Sequence, residues 1–155
     1  MRIFRYREDR LPIFVISSLF VLDLAIYALI AHPALLASYM VVSWFCKAHI
    51  CAWNHHHQHV PVFEVASLNR ALELMYGLQT GITSMTWVLH HSIGHHVNYL
   101  DQEKDESRWR GADGKPMGEW RYTLEVGLTA YPRAWEVSKR FPAHRRMFVA
   151  MGLMR

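Results

Sequence analysis

From Leu11 to Cys46 apolar residues run almost without a polar break, and Asp23 is the one Asp, Glu, Lys or Arg in the stretch. A single helix of that length would extend ~54 Å against a hydrocarbon core of ~30 Å, so one straight crossing is too long. His32-Pro33 lies near the middle, where a proline ends one helix and starts the next. The pattern therefore predicts two transmembrane helices, 11–31 and 34–53, forming a hairpin. The second should continue as helix into the residues after Trp53 and stop near Val60, because Pro61 follows. Leu68, Ala71, Leu72, Met75 and Leu78 then recur at helical spacing, which predicts an amphipathic helix ending about Gly77 to Gly81 and lying along the membrane or against the site. A further helix over 83–98 places Trp87, His91 and His95 on one stripe. Asp101 to Glu106 forms an acidic loop, and Gly111-Ala112-Asp113-Gly114-Lys115-Pro116 reads as a surface turn. Met147 to Met154 is apolar again, far short of the ~20 residues a span needs, and reads as the opening of a third span. The fold class expected is all-α, a transmembrane helical hairpin followed by cytosolic or interfacial helices.

Charge and composition refine this picture. Of 155 residues 52% are apolar, and that fraction is concentrated near the N-terminus instead of being spread as a water-soluble core would spread it. A cleaved signal peptide competes for the first span, but the apolar run exceeds an h-region of ~7–15 residues and a second span follows directly. A buried soluble hairpin also competes, since Asp23 and two serines interrupt the first span. Arg2, Arg5, Arg7 and Arg10 precede the first span, the turn carries no Lys or Arg, and most of the remaining basic residues follow Asn54. This distribution predicts an integral membrane protein with both ends in the cytoplasm. The net charge of +4 is accompanied by no nucleic-acid motif, so no nucleic-acid partner is expected. Basic and aromatic residues instead alternate after residue 108: Trp109-Arg110, Trp120-Arg121-Tyr122, Tyr131 with Arg133 and Trp135, Lys139-Arg140-Phe141, Arg145-Arg146. That mixture suits a lipid headgroup interface or, equally, a solvated charged surface with a few buried rings. Cys46 and Cys51, facing a reducing compartment, are expected to remain unpaired and to pack as small core residues.

Eight of the eleven histidines fall in two short clusters, His55-His56-His57-Gln58-His59 and His90-His91-Ser92-Ile93-Gly94-His95-His96. Residues four apart lie one helical turn from each other, so His55 with His59 and His91 with His95 can each converge on an ion, and imidazole binds iron, zinc, copper and nickel. A lone histidine on an apolar face is usually a satisfied core residue, and a histidine run can be a surface metal trap. The conjunction of two clusters with an apolar helical hairpin directly upstream favours a functional metal site.

An HxxxH at His55/His59 and an HxxxHH at His91/His95/His96 after a hairpin resemble the membrane fatty acid desaturase family, with the likeness running from the hairpin through Trp109. The resemblance implies that His55, His59, His91, His95 and His96 bind a pair of non-haem irons at the cytosolic face. It implies a lipid acyl chain as substrate, dioxygen as co-substrate, and a ferredoxin, rubredoxin or cytochrome b5 type electron donor. His49, His56, His57 and His90 stay open as ligands, because neighbouring histidines allow a shifted register. His32 and His144 are expected to be structural or interfacial. Asp101 and Asp105 are candidate acceptors for ligand N–H groups, although two solvated loop carboxylates is the expected reading.

The family's third HxxHH segment has no counterpart after residue 96, so residues 1–155 are expected to form a partial, N-terminal half of a desaturase-like domain: the two spans, a histidine-box region over 54–108, and an interfacial segment with the start of a third span over 109–155. The function expected is an O2-dependent acyl desaturase lacking that segment, incomplete as this chain alone. The alternatives are a fatty acid or alkane hydroxylase of the same superfamily, and a non-catalytic membrane metal-binding fragment.

Overall fold

The computed structural model describes residues 2–153. The chain divides into two compact units, Met1–Ser84 and Met85–Arg155, each with its own apolar cluster. Both are helical, and among the described residues β-pairing is limited to the isolated bridges Phe4↔Phe63 and Arg110↔Pro116.

In the first unit a 3-10 turn (Arg7–Asp9) leads into α1 (Arg10–Leu29), followed by α2 (Pro33–His59) and α3 (Ala66–Thr80). The break between α1 and α2 lies where the proline predicts it. Ile30 and His32 adopt extended backbone, and Pro33 occupies the first turn of α2, where its missing N–H is not needed. α2 then runs 27 residues without interruption and ends with the first histidine cluster; its terminal Val60 N–H still bonds back to His56 O before Pro61.

α1 with its leading turn and α2 are each long and apolar enough to cross a membrane, with mean hydropathies of 2.1 and 1.4, yet 11% of the apolar window in each is buried. Phe14, Val21, Leu29, Val41, Val42, Trp44 and Phe45 all lie open. A helix buried in a water-soluble core would cover those side chains, which these two helices leave open. Asp23, the polar interruption in α1, is buried and partnered: the Tyr39 hydroxyl donates to it at 2.6 Å and Lys47 Nζ lies 3.0 Å away, which ties α1 to α2.

The apolar stripe predicted for α3 needs correction. Leu68, Ala71 and Leu78 of the predicted stripe are exposed, and the buried face is Leu72, Glu73, Tyr76, Gly77 and Gln79. Polar groups belong inside here because they have partners. Gln79 Nε2 donates to the Ile16 carbonyl in α1 at 3.0 Å, and Glu73 meets His57 and Arg70. Leu72 and Tyr76 join Ile16, Ile50, Val62 and Phe63 as the core, and the N-terminal strap is laced to it by Arg5 N–H to Val62 O and Glu64 N–H to Ile3 O. α3 ends at Gly81, whose φ of 77° is the left-handed cap conformation that glycine adopts without strain. Both cysteines are unpaired; Cys46 is exposed, so it does not serve the core packing expected of it.

The second unit begins within the turn α4 (Ser84–Thr86), which passes directly into a π-helix (Trp87–His95) and a 3-10 turn (His96–Asn98); α5 (Glu119–Ser138) and α6 (Pro142–Leu153) complete it. Met85 and Leu89 pack against Ala134 and Val137 of α5, where small alanines allow close approach. Leu100, at φ 71°, turns the chain into the acidic loop; such a conformation costs a non-glycine residue ~1–2 kcal/mol. The Gly111–Pro116 turn closes as expected, by Gly111 N–H to Lys115 O and Gly114 N–H to Gly111 O. The predicted apolar run Met147–Met154 lies within α6 as far as Leu153, and Met154 falls outside the described residues.

Candidate metal centre

In the first unit, α2 delivers His55 and His59 one turn apart, with their Nε2 atoms 3.2 Å from each other. Two nitrogens bound to one ion through bonds of ~2.1 Å lie about 3.0 Å apart at a right angle and about 3.4 Å apart at a tetrahedral one. The pair thus has the spacing of two adjacent ligands, which is also that of an N–H···N hydrogen bond between neutral rings. His57, between them in sequence, faces the interior. Its Nδ1 accepts from Val62 N–H at 3.3 Å, its Nε2 lies 3.7 Å from Glu73 Oε1, and its ring packs on Tyr76. Both ring nitrogens are used, so His57 is a structural residue. Burial alone would raise the Glu73 carboxyl pKa, but hydrogen bonds from His57 and Arg70 overcome that and hold it below the usual carboxylate range. His56 is exposed. His49 is also exposed and donates through Nδ1 to Phe45 O one turn back, away from the turn that carries His55 and His59. His32 is exposed at the α1–α2 break.

In the second unit the helix carrying His91, His95 and His96 is not the α-helix that a 3.6-residue stripe predicts. It is a π-helix, bonded to the fifth residue back, as in His96 N–H to His91 O. The wider turn lets position i face both i+4 and i+5, and turns of this kind recur at functional sites. His91 accordingly stacks on His95 at 5.3 Å between centroids and meets His96 edge-on at 4.4 Å, with the Nε2 atoms of His91 and His96 2.9 Å apart. This second pair also has the separation of adjacent ligands. Periodicity in the sequence carries no sign of the π geometry.

His95 is oriented by a carboxylate. Its Nδ1 donates to Asp105 Oδ1 at 2.7 Å, and the same oxygen accepts the Ser107 backbone N–H at 2.7 Å. Asp105 is fully buried, so the expectation of a solvated loop carboxylate is wrong for this residue. With Nδ1–H committed to Asp105, the lone pair of His95 resides on Nε2, the tautomer a metal ligand requires. Asp101 follows the solvated expectation: it accepts from Glu103 and Lys104 N–H, and the Lys104 ammonium first, then these amides, hold its pKa below the usual range. The loop is seated on the helix at Gly94, where a Cβ would come within 2.5 Å of Glu106 Cγ. From α5, Arg133 donates to the Glu106 carbonyl and pairs with Glu125 Oε1 at 3.0 Å, so it is a loop clamp and not an interfacial cation. His90 is buried with Nε2 unpartnered among the described residues; burial first, then the Arg133 charge, pushes its pKa down to about 4, so the ring is neutral at pH 7. His144, in the first turn of α6, lies edge-on to Phe141.

The donor set fits a metal ion of the borderline class. His55, His59 and His91 each offer a ring nitrogen as a possible ligand, and neutral imidazole suits iron, zinc, copper and nickel alike. Gly94 and Arg133 are supporting residues whose roles sequence reasoning passed over, since each acts through a partner distant in the chain, while Asp105 was named there as a candidate acceptor and set aside in favour of a solvated carboxylate. The chain matches no family model, and no curated protein or solved structure matches it.

Proposed function

We propose that the chain belongs to a membrane-embedded oxidase of lipid acyl chains, a desaturase of the di-iron histidine type, with His55, His59, His91, His95 and His96 as the iron ligands. The observation that carries this reading is the His95–Asp105 bond. A buried carboxylate on the far nitrogen of a histidine is what a ligand needs to be aimed and made more basic, and it has little use on a surface metal trap. Iron supplies the one-electron chemistry with dioxygen that an unactivated alkyl C–H demands, which zinc lacks. The reaction balances with two hydrogens leaving adjacent carbons of the acyl chain, dioxygen taking two electrons from that chain and two from an external donor together with two protons from water, and two waters formed.

The protein's own part is positional. α1 and α2 carry apolar surface suited to a bilayer, so an acyl chain reaches the histidines from the apolar side, and the basic excess after Asn54 suits a ferredoxin, rubredoxin or cytochrome b5 type donor docking from water. The arginines before α1 and the basic excess after Asn54 support both ends in the cytoplasm. Hydroxylation is the second reading, because the same hydrogen abstraction followed by oxygen return gives an alcohol.

The test is metal analysis of the protein purified in detergent, joined to product mass with an acyl substrate and a reducing system. Near-stoichiometric iron, lost in His91→Ala and His95→Ala, with product lighter by two hydrogens, is the expected result; product heavier by one oxygen selects the hydroxylase. Zinc or nickel held through His55 and His59 alone, with no turnover, overturns the proposal in favour of a non-catalytic metal trap.

A further inference from the structure

α5 and α6 meet at a tight corner in which Lys139, Arg140 and Phe141 N–H groups bond back to Glu136, Val137 and Ser138 carbonyls. A groove of about 530 Å³ opens beside it, lined by Lys139, Pro142, Arg145, Arg146, Val149, Ala150 and Leu153. Six of these recur on α6 at intervals of three or four, one face of the helix. The face is divided along its length. Cations occupy the corner end, aliphatic side chains the other, and no acidic residue lines the groove among the described residues.

We propose that this groove binds an anionic glycerophospholipid, with its phosphate against Arg145, Arg146 and Lys139 and the upper part of one acyl chain along Val149, Ala150 and Leu153. The charge pattern decides the occupant: a free phosphate has no use for the aliphatic end, and a neutral lipid has none for the cations. Arg145 is held in place by the Trp135 ring, its guanidinium 4.4 Å from the centroid, a contact that orders the side chain without neutralising it. Lys139 is shared with Glu136, whose carboxylate oxygens both lie 2.7 Å from Nζ, so the arginines carry most of the selectivity. Guanidinium forks match phosphate oxygens in pairs. The volume falls within the ~300–1,000 Å³ of ordinary ligand sites, room for a headgroup and part of one tail. On α5, Trp120, Leu124 and Leu128 form a second exposed apolar stripe at four-residue spacing, with an indole suited to the headgroup zone. The inference rests on the membrane part of the proposed function and is independent of the metal.

The experiment is native mass spectrometry of the full chain in neutral detergent with equal amounts of phosphatidylglycerol and phosphatidylcholine, with glycerol phosphate as competitor. The expected result is preferential binding of phosphatidylglycerol. Arg146→Gln should weaken it roughly fivefold and Arg145→Gln/Arg146→Gln about thirtyfold, at ~1 kcal/mol per cation near anionic lipid. Iron content should be unchanged in both variants, which separates this result from failure of the metal reading. Equal binding of the two lipids, preference surviving in the double variant, or glycerol phosphate competing as strongly as the intact lipid each overturns the proposal.

Discussion

Two histidine–carboxylate pairs in this chain look alike and do different work. His57 faces Glu73 in the first unit and His95 faces Asp105 in the second. His57 spends its other nitrogen on the Val62 N–H, so the ring is saturated and staples the end of α2 to the loop before α3. His95 spends only Nδ1, and Nε2 keeps its lone pair. The carboxylates differ in the same sense: Glu73 is shared with Arg70, whereas Asp105 is fully buried beneath the π-helix and fixes His95 and the Ser107 amide. On the proposed reading, a ligand is distinguished from a structural histidine by what its second nitrogen is doing, and not by its place in an HxxxH pattern.

The sharpest way to break that distinction is to remove both carboxylates in turn. Asp105→Ala strands the His95 N–H and the Ser107 amide in a buried place, and should cost about 3 kcal/mol of stability and ~10–100-fold in metal affinity; thermal unfolding in detergent and metal titration read the two losses. Glu73→Gln should cost about 1–2 kcal/mol and leave metal affinity unchanged, because it loosens a staple and touches no ligand. If both variants lost metal equally, the two pairs would be doing the same work.

Acid offers a gentler version of the second change. The folded Glu73 carboxyl sits below its ordinary pKa, so its contribution is complete above the unfolded value of ~4.3 and is lost as pH falls through the folded one. Unfolding followed against pH should show that loss in the wild type and a shallower acid limb in Glu73→Gln. The smallest effect is expected from His49→Ala, an exposed ring bonded to its own helix, which should change stability by less than about 0.5 kcal/mol and metal content not at all.

Much of the first unit was legible in the sequence. The Pro33 break, the 27-residue run of α2 into the histidines and the glycine cap of α3 follow from local chemistry that the residues themselves carry. The face of α3 did not, because Glu73 and Gln79 turn inward to partners on α2 and α1 that a hydropathy stripe cannot name. In the second unit the histidine spacing was visible but not the π-helix, since the spacing of the histidines does not set the choice between a bond four or five residues back. Asp105 was misjudged for a related reason: an acidic loop reads as solvated until the fold buries one carboxylate and leaves Asp101 outside.

The proposal that His55, His59, His91, His95 and His96 are iron ligands is tested most directly by the metal content of two single variants. If it holds, His55→Ala and His91→Ala each strip the purified chain of essentially all its iron, because neither cluster holds the centre alone. If each variant keeps about half its metal, the clusters are separate sites and the account is wrong.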